Sequence, residues 1–127
     1  MARILAADDN PEILALVREY LECLGHEVKC ETDGLQVGIR AKEWLPDLIV
    51  SDIQMPNFYG TTAVVGLRES PLTSSIPVIF ISAVAPATVG KMLDLIRTKV
   101  EHPDRIRFVP KPIDFKLLET CVRELLG

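Results

Sequence analysis

The run Leu48-Ile49-Val50-Ser51-Asp52 constrains the fold more than any other stretch of this chain. Its branched apolar residues sit on consecutive positions, so a strand here has no polar face to offer water. Such strands occur in parallel sheets covered by helices on both sides. The run ends on a carboxylate, which puts negative charge at the rim of a core and demands a compensating partner. Met55-Pro56 then turns the chain out of the strand, and Gly60 opens a further helical segment.

The remaining sequence repeats the pattern of strand and helix. Arg3–Ala7 reads as a short apolar strand ending in Asp8-Asp9-Asn10, and Pro11 follows at a natural first helical position. Ile13, Leu16, Val17, Tyr20 and Leu24 predict the buried face of that helix, which Gly25 stops. His26–Thr32, alternating around Val28 and Cys30, suits a strand nearer an edge. Asp33-Gly34 is a turn signal, after which Val37, Ala41, Trp44 and Leu45 recur at helical spacing up to Pro46-Asp47.

A third helix is expected over about 60–69, with Ala63, Val64 and Leu67 inward. Ile76–Ile81 is a second fully apolar strand, and it runs into Ser82-Ala83. Pro77 near its start is tolerated, because a donor can be spared there. A fourth helix is expected over about 87–100, followed by a polar break at 101–104. Ile106, Phe108 and Val109 mark the last strand, closed by Pro110-Lys111-Pro112. Asp114 is a helix cap for a final stripe of Phe115, Leu118, Cys121, Val122 and Leu125. Five strands alternating with helices predict an α/β, doubly wound, parallel sheet.

Bulk properties narrow the functional classes. With 127 residues, 48% of them hydrophobic, the chain suits one domain over 1–127 with a single core. A net charge of −4 argues against direct nucleic-acid binding through a basic surface. No apolar run reaches the ~20 residues of a membrane span, and acidic residues follow the N-terminus too soon for a signal peptide. Cys23, Cys30 and Cys121 form no Cys-x-x-Cys pair, so reduced, at least half-buried thiols in a cytoplasmic protein are expected.

In a doubly wound sheet, function gathers beyond the carboxyl ends of the strands. Those ends read Asp8-Asp9, Asp52, Ser82 and Lys111. Three carboxylates so close would repel one another unless a cation neutralised them. Few carboxylates plus water suit Mg²⁺. With the Lys111 ammonium and the Ser82 hydroxyl, the set suits a phosphoryl group, with one aspartate as nucleophile.

Asp8-Asp9, the motif Asp52-x-x-Met55-Pro56-x-x-x-Gly60, Ser82-Ala83 and Lys111-Pro112 together resemble the receiver domain of two-component response regulators, over the whole chain. The resemblance implies a flavodoxin-like receiver fold with strand order 2-1-3-4-5. It implies that Asp52 accepts a phosphoryl group from a sensor histidine kinase or histidine phosphotransfer protein. Phosphorylation and dephosphorylation would be self-catalysed at Asp52, in a signalling module rather than an enzyme. Asp8, Asp9, Asp52 and the backbone carbonyl of Gln54 would hold Mg²⁺, Asp8 mainly through water. Lys111 would pair with phosphoryl oxygens, and Lys111-Pro112 would be a cis peptide. Ser82 and Phe108 would act as switch residues that repack the face of the fourth helix, fifth strand and fifth helix, where a downstream protein docks.

The stretch from Ser82 to Lys111 is longer than is usual in that family. It carries Arg97–Asp104 where a Gly-Ala turn commonly stands. The 127 residues hold no output domain of their own, so output is expected through protein contact or through a segment beyond this stretch. Two other functions fit less of the pattern. A Mg²⁺-dependent phosphatase with an aspartyl nucleophile would place a second Asp two positions after the first, unlike Asp8-Asp9-Asn10-Pro11. A degenerate receiver, acting by contact without phosphorylation, would not need the full acidic set. His26 and His102 are isolated, and Trp44 and the methionines suit core packing.

Overall fold

The computed structural model describes residues 2–55, 58–59, 70–71, 73–83, 87–88, 90–91, 94 and 105–127. Five parallel strands form its main sheet: β1 (Arg3–Ala7), β2 (Glu27–Glu31), β3 (Leu48–Asp52), β4 (Val78–Ser82) and β5 (Ile106–Pro110). Their order is β2-β1-β3-β4-β5, the order the resemblance implies. Every residue of β3 and β4 is buried, as consecutive apolar residues require of central strands. On β2, at one edge, only Val28 is buried. Gln54–Met55 pairs antiparallel with Phe58–Tyr59, a short ladder beyond β3 that the sequence pattern did not signal.

Alternation along the strands divides the core between two faces. Ile4, Ala6, Leu48, Val50, Ile79 and Ile81 face helix α1 (Pro11–Cys23) and the C-terminal helix (Phe115–Leu126). Leu5, Ala7, Ile49, Val78 and Phe80 face the other way, where α2 (Gly34–Trp44) contributes Val37 and Ala41. Each Val, Leu, Ile or Phe side chain so buried contributes roughly 1.5–3 kcal/mol relative to exposure, and each Ala less. Among the described residues no helix is long and apolar enough to cross a membrane.

Local chemistry sets the helix ends. The Asn10 carboxamide oxygen accepts from the amides of Glu12 and Ile13, and Pro11 begins α1. Gly25, at φ 94°, takes the left-handed backbone that ends it. Asp33-Gly34, expected as a turn, is instead the start of α2, with the Asp33 carboxylate accepting from the Leu35 amide at 2.8 Å. Leu45, expected on the inward face of α2, is its left-handed cap and is exposed.

The buried stripe of α1 differs from the expected one. It is Leu14, Val17 and Leu21, flanked by half-buried Ile13, Tyr20 and Leu24, while Leu16 is 55% exposed. Two rows of apolar residues at helical spacing overlap here, and the tilt of the helix on the sheet decides between them. Trp44 is half-buried rather than enclosed, with the cationic ends of Arg3 and Lys29 5.5 and 4.8 Å from its ring centre. All three cysteines are free thiols, with Cys121 buried and Cys30 half-buried as expected, but Cys23, at the last turn of α1, is exposed. The third helix expected over 60–69, Pro56, Gly60 and the polar break at 101–104 lie outside the described residues. Of the fourth helix, residues 87–88, 90–91 and 94 are described, and they are helical.

Candidate phosphoryl-transfer site

The carboxyl ends of β1, β3 and β4 and the loop after β5 meet at one rim. Asp8 follows β1 and hydrogen-bonds through its amide to the Glu31 carbonyl at the end of β2, at 3.2 Å. Asp52 is the last residue of β3 and stands level with Ile81, so Ser82 is one step further along β4. Lys111 leaves β5 and donates its amide to the Ser82 carbonyl at 2.8 Å. That bond carries the ladder one position past Pro110 and fixes where the lysine side chain starts. Lys111-Pro112 is a cis peptide, as expected.

Asp8, Asp9 and Asp52 each bring a carboxylate oxygen within 4.8 Å of the others. Asp8 and Asp52 are buried and Asp9 is exposed, so the trio runs from the core edge to solvent. Two unit charges about 4–5 Å apart repel by roughly 3–4 kcal/mol at an effective dielectric of ~20. Lys111 offsets part of this, with Nζ 3.1 Å from Asp8 Oδ2 and 3.2 Å from Asp52 Oδ2. One ammonium against three carboxylates still leaves net negative charge in a partly buried place.

The titration behaviour follows the same balance. Burial raises Asp8 above the ordinary carboxylate value, against the lowering effects of the Asn10 amide and Lys111, while the Asp52 charge raises it further. Burial would lower Lys111, but hydrogen bonds and charges from Asp8 and Asp52 outweigh it and raise the ammonium above its ordinary value. The amide of Asn10 donates to Asp8 Oδ1 at 2.9 Å. Asp8 Oδ2 is buried and lies within ion-pair reach of Lys111, yet it receives no well-aligned hydrogen bond.

This donor set fits a small hard cation. Oxygen ligands about 2.1 Å from Mg²⁺ lie at most ~4.2 Å apart across an octahedron. Oxygens spread over 4.8 Å need a sub-ångström contraction or one intervening water. Asp8 Oδ2, buried and without a well-aligned hydrogen bond, keeps lone-pair capacity for such an ion or its water. A cleft of about 570 Å³ opens beside the trio, lined by Asp9, Asn10, Pro11, Glu12, Ile13 and Lys111.

The structure thus brings Asp8, Asp9, Asp52 and Lys111 together, with Ser82 buried on the adjoining strand end. Gln54 lies in the short ladder two residues after Asp52. Phe108 stands level with Phe80 on β4, ring centres 5.3 Å apart, half-buried against the α2 side of the core. Asn10, absent from the expected site residues, donates its amide to Asp8 Oδ1. Its place directly after the acidic pair and before Pro11 signals a helix cap but not that bond.

Known proteins resemble this chain in sequence and in fold. The sequence model described as "Response regulator receiver domain" matches residues 4–123. PilH of Pseudomonas aeruginosa is 40% identical, with 100% of this chain and 99% of PilH covered. Other curated relatives are longer, and the chain spans 49%, 26% and 51% of three that it matches almost end to end. The chemotaxis response regulator CheY4 of Vibrio cholerae superposes with TM-score 0.84 at 23% identity, covering 99% of each chain. The receiver domain of the sensor histidine kinase PA1611 of Pseudomonas aeruginosa, solved with a magnesium ion coordinated in its active-site cleft, gives 0.84 at 22%, covering 99% of this chain and 98% of that one. At such identities the likeness to these structures is one of fold. The family match and the likeness to PilH reach further, and by them the chain belongs to the response regulator receiver domains of two-component signalling.

Proposed function

We propose that residues 1–127 act as a cytoplasmic phosphoacceptor module, taking a phosphoryl group on Asp52 from a phosphohistidine of a sensor kinase or phosphotransfer protein. The observation that carries this reading is the buried Asp52 carboxylate at the end of β3, 3.2 Å from Lys111 Nζ and grouped with Asp8 and Asp9. A carboxylate oxygen of Asp52 attacks phosphorus, an O–P bond forms, and the P–N bond breaks with its electron pair returning to the imidazole. Lys111 offsets charge on the phosphoryl oxygens, and the Ser82 hydroxyl donates to one of them.

Asp8, Asp9, Asp52 and the Gln54 backbone carbonyl would hold Mg²⁺, which when bound neutralises the charge of carboxylates and phosphate. The magnesium in the PA1611 receiver supports this choice of ion. The open cleft beside Lys111 leaves room for a histidine side chain on a partner. Movement of Ser82 toward the phosphoryl group, followed by Phe108, would bias the face around β5 between two arrangements and so alter the affinity of a downstream protein. Phosphorylation and hydrolysis at Asp52 are then self-catalysed events of a switch rather than turnover of a separate substrate.

Intact mass measurement after incubation with acetyl phosphate and Mg²⁺ tests this directly. One phosphoryl addition is expected, which does not form when Mg²⁺ is chelated beforehand and is absent in Asp52→Asn. No adduct from acetyl phosphate or any phosphohistidine donor would refute the proposal.

A further inference from the structure

Asn10 stands outside the charged set, yet it holds two parts of the structure at once. Its carboxamide oxygen accepts from Glu12 N at 2.9 Å and Ile13 N at 3.3 Å, closing the first turn of α1. Its own amide donates to Asp8 Oδ1 at 2.9 Å. The side-chain bonds fix the backbone around Asn10, and that backbone fixes the plane of the Asp8 carboxylate. With Oδ1 engaged, Oδ2 is the oxygen that faces Lys111. Pro11 and Ile13, held by the same turn, line the cleft beside Asp9.

We propose that Asn10 is a positioning residue for the cation site, orienting Asp8 through the cap of α1. This rests on the reading of Asp8, Asp9 and Asp52 as a Mg²⁺ site. A carboxylate free to rotate must be ordered again whenever an ion binds, whereas one already held loses little freedom. Groups that orient a ligand in this way commonly change metal affinity by about 10–100-fold when removed. The effect of Asn10 lies at the low end, since its side chain acts on Asp8 through the backbone.

Calorimetric titration of the unphosphorylated full chain with Mg²⁺ tests this without relying on phosphorylation. Asn10→Ala is expected to bind Mg²⁺ about tenfold more weakly, and Asn10→Ser, which keeps a capping oxygen, to bind within about twofold of the parent. Gly25→Ala strains the other end of the same helix, where φ is +94°. It should lower the melting temperature while leaving Mg²⁺ affinity unchanged. If Asn10→Ala does not fold, Asn10→Gly removes the capping oxygen at a smaller cost in stability, and should weaken binding in the same direction. Parent-like affinity in the folded Ala or Gly variant overturns the proposal, as does equal weakening in Gly25→Ala. A parent protein that binds no Mg²⁺ overturns the underlying site as well, so the two failures are told apart.

Discussion

Asp8 and Lys111 carry opposite halves of one electrostatic balance, and pH separates them. Burial raises the Asp8 carboxyl, so the folded protein holds that proton more tightly than the unfolded chain does. Its ionisation therefore opposes folding, and its contribution to stability falls as pH rises from the unfolded value of 3.8 through the higher folded one. Lys111 is raised by its two carboxylate partners, against burial. Its pairing stabilises fully below 10.5 and is lost as pH climbs through the higher folded value. Carboxyl-carbon NMR in metal-free buffer should find Asp8 titrating above the ordinary carboxylate range, and higher still in Lys111→Ala. An Asp8 midpoint unmoved by that substitution would show that the lysine exerts no field on it. The acidic pair and Lys111 were legible in the sequence because each sits at a strand end, where a charge has no packing reason to be. The hydrogen bond from Asn10 was not, because a backbone amide leaves no mark in residue identity.

The helices show where periodicity stops deciding. On α1, Leu14, Leu16, Val17 and Leu21 supply more apolar positions than one narrow stripe can bury, and the sheet selects Leu14, Val17 and Leu21. Leu21 is fully buried, so Leu21→Ala should cost about 2–5 kcal/mol in urea unfolding. Leu16→Ala, at an exposed position, should stay within ~0.5 kcal/mol. Equal costs would mean that α1 sits on the sheet in a different rotation. On α2 the ambiguity was conformational: Asp-Gly serves a hairpin turn and a helix start alike. The aspartate at 33 became a cap because the following residues had Val37 and Ala41 to bury on one face. The C-terminal helix leaves no such ambiguity, since Leu118, Cys121, Val122 and Leu125 form a single stripe with charged neighbours between them.

Across the whole molecule, architecture was more legible than detail. Apolar runs without alternation at 48–52 and 76–81 imply central parallel strands, and the alternating 26–32 implies an edge. Strand order itself is not written in periodicity and came from the resemblance. With Asp8, Asp9, Asp52 and Lys111 brought to one rim only by folding, a ligand held there is felt by the folded state alone. Mg²⁺ at about a hundredfold over its dissociation constant should therefore add ~2.7 kcal/mol to unfolding stability. Thermal melts at rising Mg²⁺ check this: the gain should vanish with chelator and shrink in Asp9→Ala, and a melting temperature indifferent to Mg²⁺ would argue against the ion. The choice of signal for such melts follows from Trp44, the one tryptophan of the chain. Its indole lies against the cationic ends of Arg3, at the start of β1, and of Lys29, level with Leu5 midway along it, while the acidic trio lies past the other end. Its emission is an optical reporter of whether the chain is folded, placed out of earshot of what binds at the carboxylates.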